Sequence, residues 1–539
     1  MHLAPSAHVD TFCRDNLPPQ DQWPQFLFDL PELHYPERLN CAVELLDKTI
    51  AAHGGDRPCL LSPAGERWTY DDLLRVSNQV AHVLVDDYGV VPGNRVLLRG
   101  PNNPWLVACW FGVVRAGAVA VTTMPMLRGG EIATIAEIAD LDLAMCDERF
   151  LDDLAAANIP NLRTIAYGGT DGLTTMVTAK SAEFTPVDTA ADDVVLLAFT
   201  SGTTGRPKAT MHFHRDVLAN ADTFSKHVLQ PVADDVFAGT PPLAFTFGLG
   251  GLVVFPMRVG ASTLLIEMAS PDALANLIAK HHVTICFTAP TAYRAMIASG
   301  SVERLASLRR AVSAGEHLPK ATWQGFFDAT GVKLIDGIGA TELLHIFISA
   351  ADDDIRPGST GKAVPGFVAT VVDGEGVPLP PGQGQAALAV RGPTGCRYLA
   401  DPRQSVYVHN GWNITGDTFI QDDEGYFWYQ ARSDDMIISS GYNIAGPEVE
   451  GALLAHEDVS ECAVVGLPDE QRGQIVAAFV VLREGASADD SKAKELQAFV
   501  KQQIAPYKYP RRIEFRTALP KTATGKLQRF RLREDLSPA

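Results

Sequence analysis

The eight cysteines of this chain form no CxxC pair and no metal-ligand spacing. That excludes a zinc ribbon or an iron–sulfur framework. Cys109, Cys286 and Cys462 stand among apolar neighbours, as reduced thiols of a cytoplasmic protein do. The opening residues, MHLAPSAHVDTF, lack a charged region followed by an apolar core, so no secretory signal is evident. Long hydrophobic runs are missing too. The most apolar stretch, Trp105 to Met126, contains Arg115 and several small residues, and reads as a buried helix followed by a strand rather than a membrane span. Positive charge is scarce: 45 Lys and Arg face 64 Asp and Glu, for a net charge of −19. Such a balance argues against a nucleic-acid or anionic-membrane partner. Internal repeats and low-complexity tracts are also lacking. A cytoplasmic globular enzyme is the class these absences leave.

At 539 residues the chain is expected to form two or more domains. Residues 1–40 are Pro-rich and irregular, an arm on the main body. Apolar strand-like runs then alternate with helical patterns: Arg95 to Leu98, Ala118 to Thr122, Leu143 to Cys146, Ala261 to Leu265 and Thr284 to Thr288. That alternation predicts α/β layers with largely parallel sheets. From about Gly361 turn signals at 373–376, 380–384 and 422–425 predict β hairpins. Beyond Asp434 a smaller α+β unit is expected, with helices near 445–455 and 491–504 and strands near 461–465 and 476–482. Its end is basic, with ten Lys/Arg and one acidic residue between Lys501 and Arg533. A small polyanion suits this segment, and so does a solvated helix face.

Thr200 to Lys208 reads TSGTTGRPK, directly after the apolar run Val194 to Phe199. Small residues let backbone N–H groups and the hydroxyls of Thr200, Ser201, Thr203 and Thr204 approach a polyphosphate around Gly202 and Gly205, and Lys208 adds positive charge. GxxxxGK[ST] does not fit, so this is no Walker A loop. A plain connecting turn is the other reading.

IGATE (338–342), NITGD (413–417), ARSDDMIISSGYN (431–443) and PKTATGKLQR (520–529) follow in order. With the first loop they resemble the motif set of the acyl-adenylating superfamily of acyl- and aryl-CoA synthetases, luciferases and peptide-synthetase adenylation domains. SAGEHLP, DGIGATELLHIFIS and LPKTATGKLQRFRLR are most similar to benzoate-CoA ligases. The opening AHVDTFCRDNLPPQDQWPQFLF and QARSDDMIISSGYNIAGPEVE are most similar to their 2-aminobenzoate-activating relatives.

The resemblance implies a large domain over 1–433 and a mobile one over 434–539, with ATP, Mg2+ and CoA as cofactor and co-substrates. Glu342 matches a magnesium-binding glutamate and Thr341 a phosphate-contacting hydroxyl. Gly315, Glu316, Asp336, Gly337 and Ile338 match nucleotide-binding positions, Asp417 the ribose-binding aspartate, and Arg432 an arginine at ribose and phosphates. Lys526 matches the lysine that bridges substrate carboxylate and α-phosphate. Asp434 matches the hinge, and Ser440, Gly441 and Tyr442 the passage for the pantetheine arm. Two positions depart from the common pattern: Ile338 stands where an aromatic usually stacks on adenine, and Ala431 replaces a glycine.

Phe245, Phe247, Ala314, Gly339, His345 and Ile346 are the candidate acid-binding residues. Aromatics beside glycines suit a planar ring, and equally suit ordinary core packing. His345 is a pocket residue or a satisfied structural histidine. The sequence ends ten residues after Arg529, with no fused carrier domain, so CoA is the expected acceptor. The predicted activity is an AMP-forming aryl-CoA ligase with 2-aminobenzoate first, benzoate or a hydroxybenzoate next. Loading of a separate carrier protein is the alternative. Monomer and homodimer both remain open.

Negative charge gathers between carboxylate and α-phosphate only in the first half-reaction. Lys526→Ala is therefore expected to lower pyrophosphate exchange roughly a hundredfold or more while sparing thioester formation from supplied aryl-AMP. Equal losses in both half-reactions would remove Lys526 from this role.

Overall fold

Local signals set the helices that cover the sheets. Helix Tyr70–His82 begins at a capping box, in which Thr69 Oγ1 accepts the Asp72 N–H at 3.1 Å and the Asp72 carboxylate accepts the Thr69 N–H at 3.1 Å. Its Leu73, Val76 and Val80 turn one apolar face inward. Helix Pro104–Arg115 starts where Asn103 Oδ1 accepts the Leu106 N–H at 2.9 Å, with proline in its first turn. This helix is buried along almost its whole length, as the apolar sequence predicts. Arg115, the charge within that stretch, donates to Asp47 at 2.5 and 3.2 Å. Burial is tolerated because the charge is paired.

The computed structural model describes residues 3–534 apart from 201–205, 301, 433–434, 440–441, 470–471, 505 and 522–526. Among the described residues four sheets form. A six-stranded sheet runs in the order Arg163–Tyr167, Leu143–Asp147, Arg95–Arg99, Val119–Thr123, Val194–Thr200, Lys208–Phe213. All neighbours in it are parallel except the last pair. A nine-stranded sheet has six parallel strands at its centre: Pro58–Leu61, Ser262–Leu264, Val236–Gly239, Ile285–Thr288, Arg310–Ala314 and Leu334–Gly339. Antiparallel strands close both its edges. The strands read from the sequence between Arg95 and Thr288 fall within these two sheets.

From Val368 to Arg432 an antiparallel five-stranded sheet follows, with turns at the expected positions. A last sheet joins Ile437–Ser439, Tyr442–Ile444, Val459–Asp469 and Gly473–Leu482, with Arg512–Phe515 added in parallel. Helices Gly446–Leu454 and Asp490–Gln503 pack on it around a separate apolar core. The fold is mixed α/β with a β-rich part and a smaller α+β part, as expected. The expected 433/434 boundary falls on residues outside those described. Residues of the first forty are mostly irregular and held by polar contacts, among them Ala4 N–H to Asp192 at 3.0 Å and Arg95 to Asp10. All eight cysteines are free. Among the described residues, no helix is long and apolar enough to cross a membrane.

One buried ion pair locks the layers together. Arg397 and Asp216, both with fully buried side chains, donate and accept directly. The Arg397 guanidinium also lies 3.9 Å from the Phe213 ring centroid. Its carbonyl accepts the Met211 N–H at 2.8 Å, which draws 397–399 against the strand Lys208–Phe213. Removing one member of such a pair strands a charge in the interior. Asp216→Asn is expected to cost about 3–5 kcal/mol, seen as a lower urea midpoint. An unchanged midpoint would show that the pair does not hold the layers.

Candidate active site

Ala314 and Gly337 are register partners at the ends of adjacent parallel strands. Gly315, Glu316, Ile338 and Gly339 therefore emerge along one edge, where open parallel sheets place their ligand crevices. Gly315 adopts φ +89°, which side-chain-bearing residues avoid. Asp336 stands one step back. Burial raises its carboxyl well above the usual range, against hydrogen bonds from the Gly337 N–H and the Thr360 hydroxyl.

Thr200 and Lys208 are register partners in the hairpin of strands Val194–Thr200 and Lys208–Phe213, so the intervening loop leaves and returns at one place. Ser201, Gly202, Thr203, Thr204 and Gly205 lie outside the described residues. Lys208 Nζ donates to Tyr398 Oη at 2.6 Å and stands 3.5 Å from Glu342 Oε1. Tyr398 Oη in turn donates to Glu342 Oε1. The ammonium also sits 4.4 Å from the Tyr398 ring centroid. Burial, then the Glu342 carboxylate, raise the phenol pKa, so this hydroxyl stays a donor. The loop lysine and the glutamate of IGATE are thus joined through one tyrosine.

Glu342 is held in the short turn Thr341–Leu343. His212 Nε2 donates to the Thr341 carbonyl at 2.8 Å and fixes that turn. Burial, with Arg397 adding to it, lowers His212 to about 3, so the ring is neutral. A hard carboxylate oxygen beside a phosphate loop is the donor set magnesium takes, usually one or two carboxylates with phosphates completing it. Among the described residues a three-ligand cluster occurs elsewhere, at His456, Asp458 and Glu495. There the Lys492 ammonium, 2.6 Å from Asp458 and 2.7 Å from Glu495, supplies the positive charge.

Asp417 and Arg432 face each other across paired strands, with Arg432 Nη1 3.3 Å from Asp417 Oδ1. The aspartate is buried and the arginine exposed.

The acid-binding candidates split. His345 is buried among the rings of Phe224, Phe247, Phe255 and Phe287, at centroid distances of 5.6, 5.5, 4.6 and 6.4 Å. Burial lowers it to about 3, opposed by the Phe247 carbonyl, 3.4 Å from Nε2. Glycines of the segment 244–251, AFTFGLGG, serve this packing: a Cβ on Gly250 would meet His345 at 2.3 Å, and one on Gly251 would meet Phe287 at 2.7 Å. Ile346 is buried against Gly337, whose Cβ would meet it at 2.7 Å. Ala314 is buried, Phe245 half-buried and Gly339 exposed. The space beside His345 is a cavity of only about 10 Å3, too small for an aromatic ring.

Lys526, Asp434, Ser440 and Gly441 lie outside the described residues, and Tyr442 is described by its backbone alone, in the strand Tyr442–Ile444. Around Lys526, Lys521 pairs with Leu527, and Arg529 donates to Glu450 at 2.8 and 2.9 Å. Burial, then the Arg529 charge, lower His317 of SAGEHLP to about 4. His317 stacks on Tyr429 with centroids 5.3 Å apart. Residues of the C-terminal segment and of the strand-end crevice therefore share one electrostatic neighbourhood.

Sequence reasoning missed Tyr398, His212 and Tyr407, whose ring lies 5.7 Å from Lys208 Nζ. Their one signal is spatial: Tyr398 bridges Thr210 across nearly two hundred residues.

A family profile described as AMP-binding enzyme matches residues 46–398, and one described as AMP-binding enzyme C-terminal domain matches 448–526. The chain is 34% identical to the benzoate–CoA ligase of Thauera aromatica, over 93% of this chain and 97% of that protein. The crystal structure of the anthranilate CoA ligase AuaEII with anthranoyl-AMP superposes with a TM-score of 0.89 at 34% identity, covering 94% of this chain and 99% of that one. A benzoate CoA ligase of Burkholderia xenovorans LB400 gives 0.85 at 29% identity, covering 92% and 100%. The chain belongs to the AMP-binding enzyme family. Within it, the chain is an AMP-forming acid–CoA ligase.

A hydrogen bond to a charged group is worth about 1.5–3 kcal/mol. Tyr398→Phe is accordingly expected to slow ATP–pyrophosphate exchange roughly ten- to a hundredfold with little change in melting temperature. Full exchange activity would show that Lys208 and Glu342 hold their places without the tyrosine.

Proposed function

We propose that this enzyme is an ATP-dependent aryl-CoA ligase, with 2-aminobenzoate its first substrate and benzoate or a hydroxybenzoate next. The observation that carries the reading is the pair of strand ends that bear the nucleotide motifs, with Lys208 and Glu342 joined through Tyr398. Similarity along nearly the whole chain to an anthranilate and a benzoate CoA ligase supports it.

In the first step a carboxylate oxygen of the acid bonds to the α-phosphorus of ATP, and the bond from that phosphorus to the bridging oxygen breaks, releasing pyrophosphate. The loop 200–208 holds the phosphates, with Lys208 kept beside Glu342 by Tyr398. Glu342 would hold Mg2+, which when bound supplies positive charge to the phosphate oxygens. Asp417 accepts from the ribose hydroxyls, with Arg432 beside it. Gly315, Glu316, Asp336, Gly337 and Ile338 line the base. Lys526, with three donors, bridges carboxylate and α-phosphate.

In the second step the CoA sulfur bonds to the acyl carbon, and AMP leaves with the electrons of the broken C–O bond. The unit 434–539 turns about Asp434 between the steps, presenting Lys526 first and the Ser440–Tyr442 turn second. A cytoplasmic location fits these substrates.

Thioester formation from benzoate, 2-aminobenzoate, 3-hydroxybenzoate and decanoate, with ATP and CoA, tests the proposal. The aryl acids are expected to be turned over at least tenfold more efficiently than decanoate. Efficient use of decanoate would overturn the aryl reading. Aryl-AMP that forms but is not consumed by CoA would point instead to a carrier protein as acceptor.

A further inference from the structure

Residues 16–27 of the N-terminal arm direct main-chain hydrogen bonds to a segment at the far end of the large domain. Pro18, Pro19 and Pro24 keep this stretch from a long helix or a sheet of its own. The Asn16 carbonyl accepts the Ala400 N–H at 3.2 Å, the Gln25 N–H donates to the Gly411 carbonyl at 2.8 Å, and the Leu27 N–H donates to the Gly392 carbonyl at 3.0 Å. Side chains follow the same course. The Trp23 and Phe26 ring centroids lie 5.8 and 5.0 Å from the Arg397 guanidinium carbon. A Cβ on Gly395 would meet Pro24 Cγ at 2.5 Å, so glycine there lets arm and segment close on each other. Residues 396–400 are thus held by the arm as well as by the strand Lys208–Phe213, where the Leu399 N–H donates to the Ala209 carbonyl at 2.9 Å.

Gln404 is the joint. It is 1% exposed, and both ends of its amide are engaged. Nε2 donates to the Gln22 carbonyl of the arm at 2.8 Å and to the Cys396 carbonyl at 3.1 Å. Oε1 accepts the Tyr398 N–H at 2.8 Å. Turning the amide over would set its oxygen against two carbonyls, so this orientation is fixed. A buried polar group with every partner in place rigidifies what it joins. Here it joins the arm to the backbone of the residue whose hydroxyl meets Lys208 and Glu342.

We propose that the N-terminal arm braces Tyr398 through Gln404, which makes Gln404 a positioning residue of the adenylation step. The inference rests on the placing of the ATP phosphates at Lys208 and Glu342, and it holds for whichever acid is bound. Without the Gln404 amide, the Tyr398 N–H and the Gln22 carbonyl lose the partner they share. The phenol is then free to drift from the bridge between ammonium and carboxylate.

A double-mutant cycle separates aiming from stability alone. ATP–pyrophosphate exchange would be measured in the wild type, Gln404→Met, Tyr398→Phe and the double variant, with 2-aminobenzoate, benzoate and decanoate as acids and melting temperatures alongside. Misplacement of a positioning group by a fraction of an ångström is expected to lower the exchange kcat about tenfold in Gln404→Met. On top of Tyr398→Phe, which has no hydroxyl left to aim, the same change should cost less than about twofold. Equal fold losses in both backgrounds would overturn the proposal, because lost stability acts in both. Wild-type exchange rates in Tyr398→Phe would overturn the reading of the phosphate site and this inference with it. A loss in Tyr398→Phe with none in Gln404→Met overturns the inference alone. Amide hydrogen exchange of the wild type, with and without ATP and Mg2+, keeps the proposal open to refutation even if Gln404→Met fails to fold. Nucleotide bound at the bridge is expected to slow exchange about threefold or more in 16–27 as well as in 396–404, since coupling between sites is reciprocal. Slowing confined to 396–404 would show that the arm does not brace the tyrosine. No slowing in either region would overturn the phosphate-site reading together with the brace.

Discussion

A buried guanidinium, that of Arg397, must be neutralised where it lies, and the answer to that constraint places both halves of the site. Asp216 supplies the opposite charge, Phe213 the flat surface and Met211 the backbone partner. One residue beyond Arg397, Tyr398 is delivered to Lys208 and Glu342. One helical turn beyond Asp216, Asn220 is delivered to the cavity at His345. A pair of this kind adds little net stability over an apolar substitute. Its contribution is position: residues distant in sequence are held at hydrogen-bond distances.

The electrostatics of the site follow from the same burial. His212, His317 and His345 are pushed to about 3, 4 and 3, so each is a neutral ring with one donor and one acceptor nitrogen. A neutral imidazole can hold a turn, as His212 holds Thr341, without adding charge to a buried interior. Positive charge comes instead from Lys208 and from the basic segment between Lys501 and Arg533, on a chain otherwise strongly acidic. Several of those cations are paired with carboxylates, among them Lys508 with Glu448 and Arg529 with Glu450.

Much of this was legible in the sequence. Runs such as Leu143 to Cys146 and Thr284 to Thr288 announced parallel strands because both their faces are buried. The motif residues are legible because phosphate, ribose and carboxylate chemistry allows few side-chain types at short spacings. Phe245 and Phe247 beside glycines suited a planar ring and ordinary core packing equally. Gly250 and Gly251 make room for His345 and Phe287, so these glycines serve packing. No local pattern marks Tyr398 or His212, which meet Lys208 and Thr341 from more than a hundred residues away.

What the sequence alone determined is the family: motifs at 200–208, 338–342, 413–417, 431–443 and 520–529 in a fixed order, in a chain that the family profiles match. Side-chain type dictates what a group can bind, and type is written locally. The tertiary structure decided which atoms remain available. Asn220 Oδ1 accepts in any conformation, whereas His345 Nδ1 accepts only when Nε2 carries the proton. Packing makes that choice by setting Nε2 against the Phe247 carbonyl, as it sets Asn220 Nδ2 against the Asp216 carbonyl.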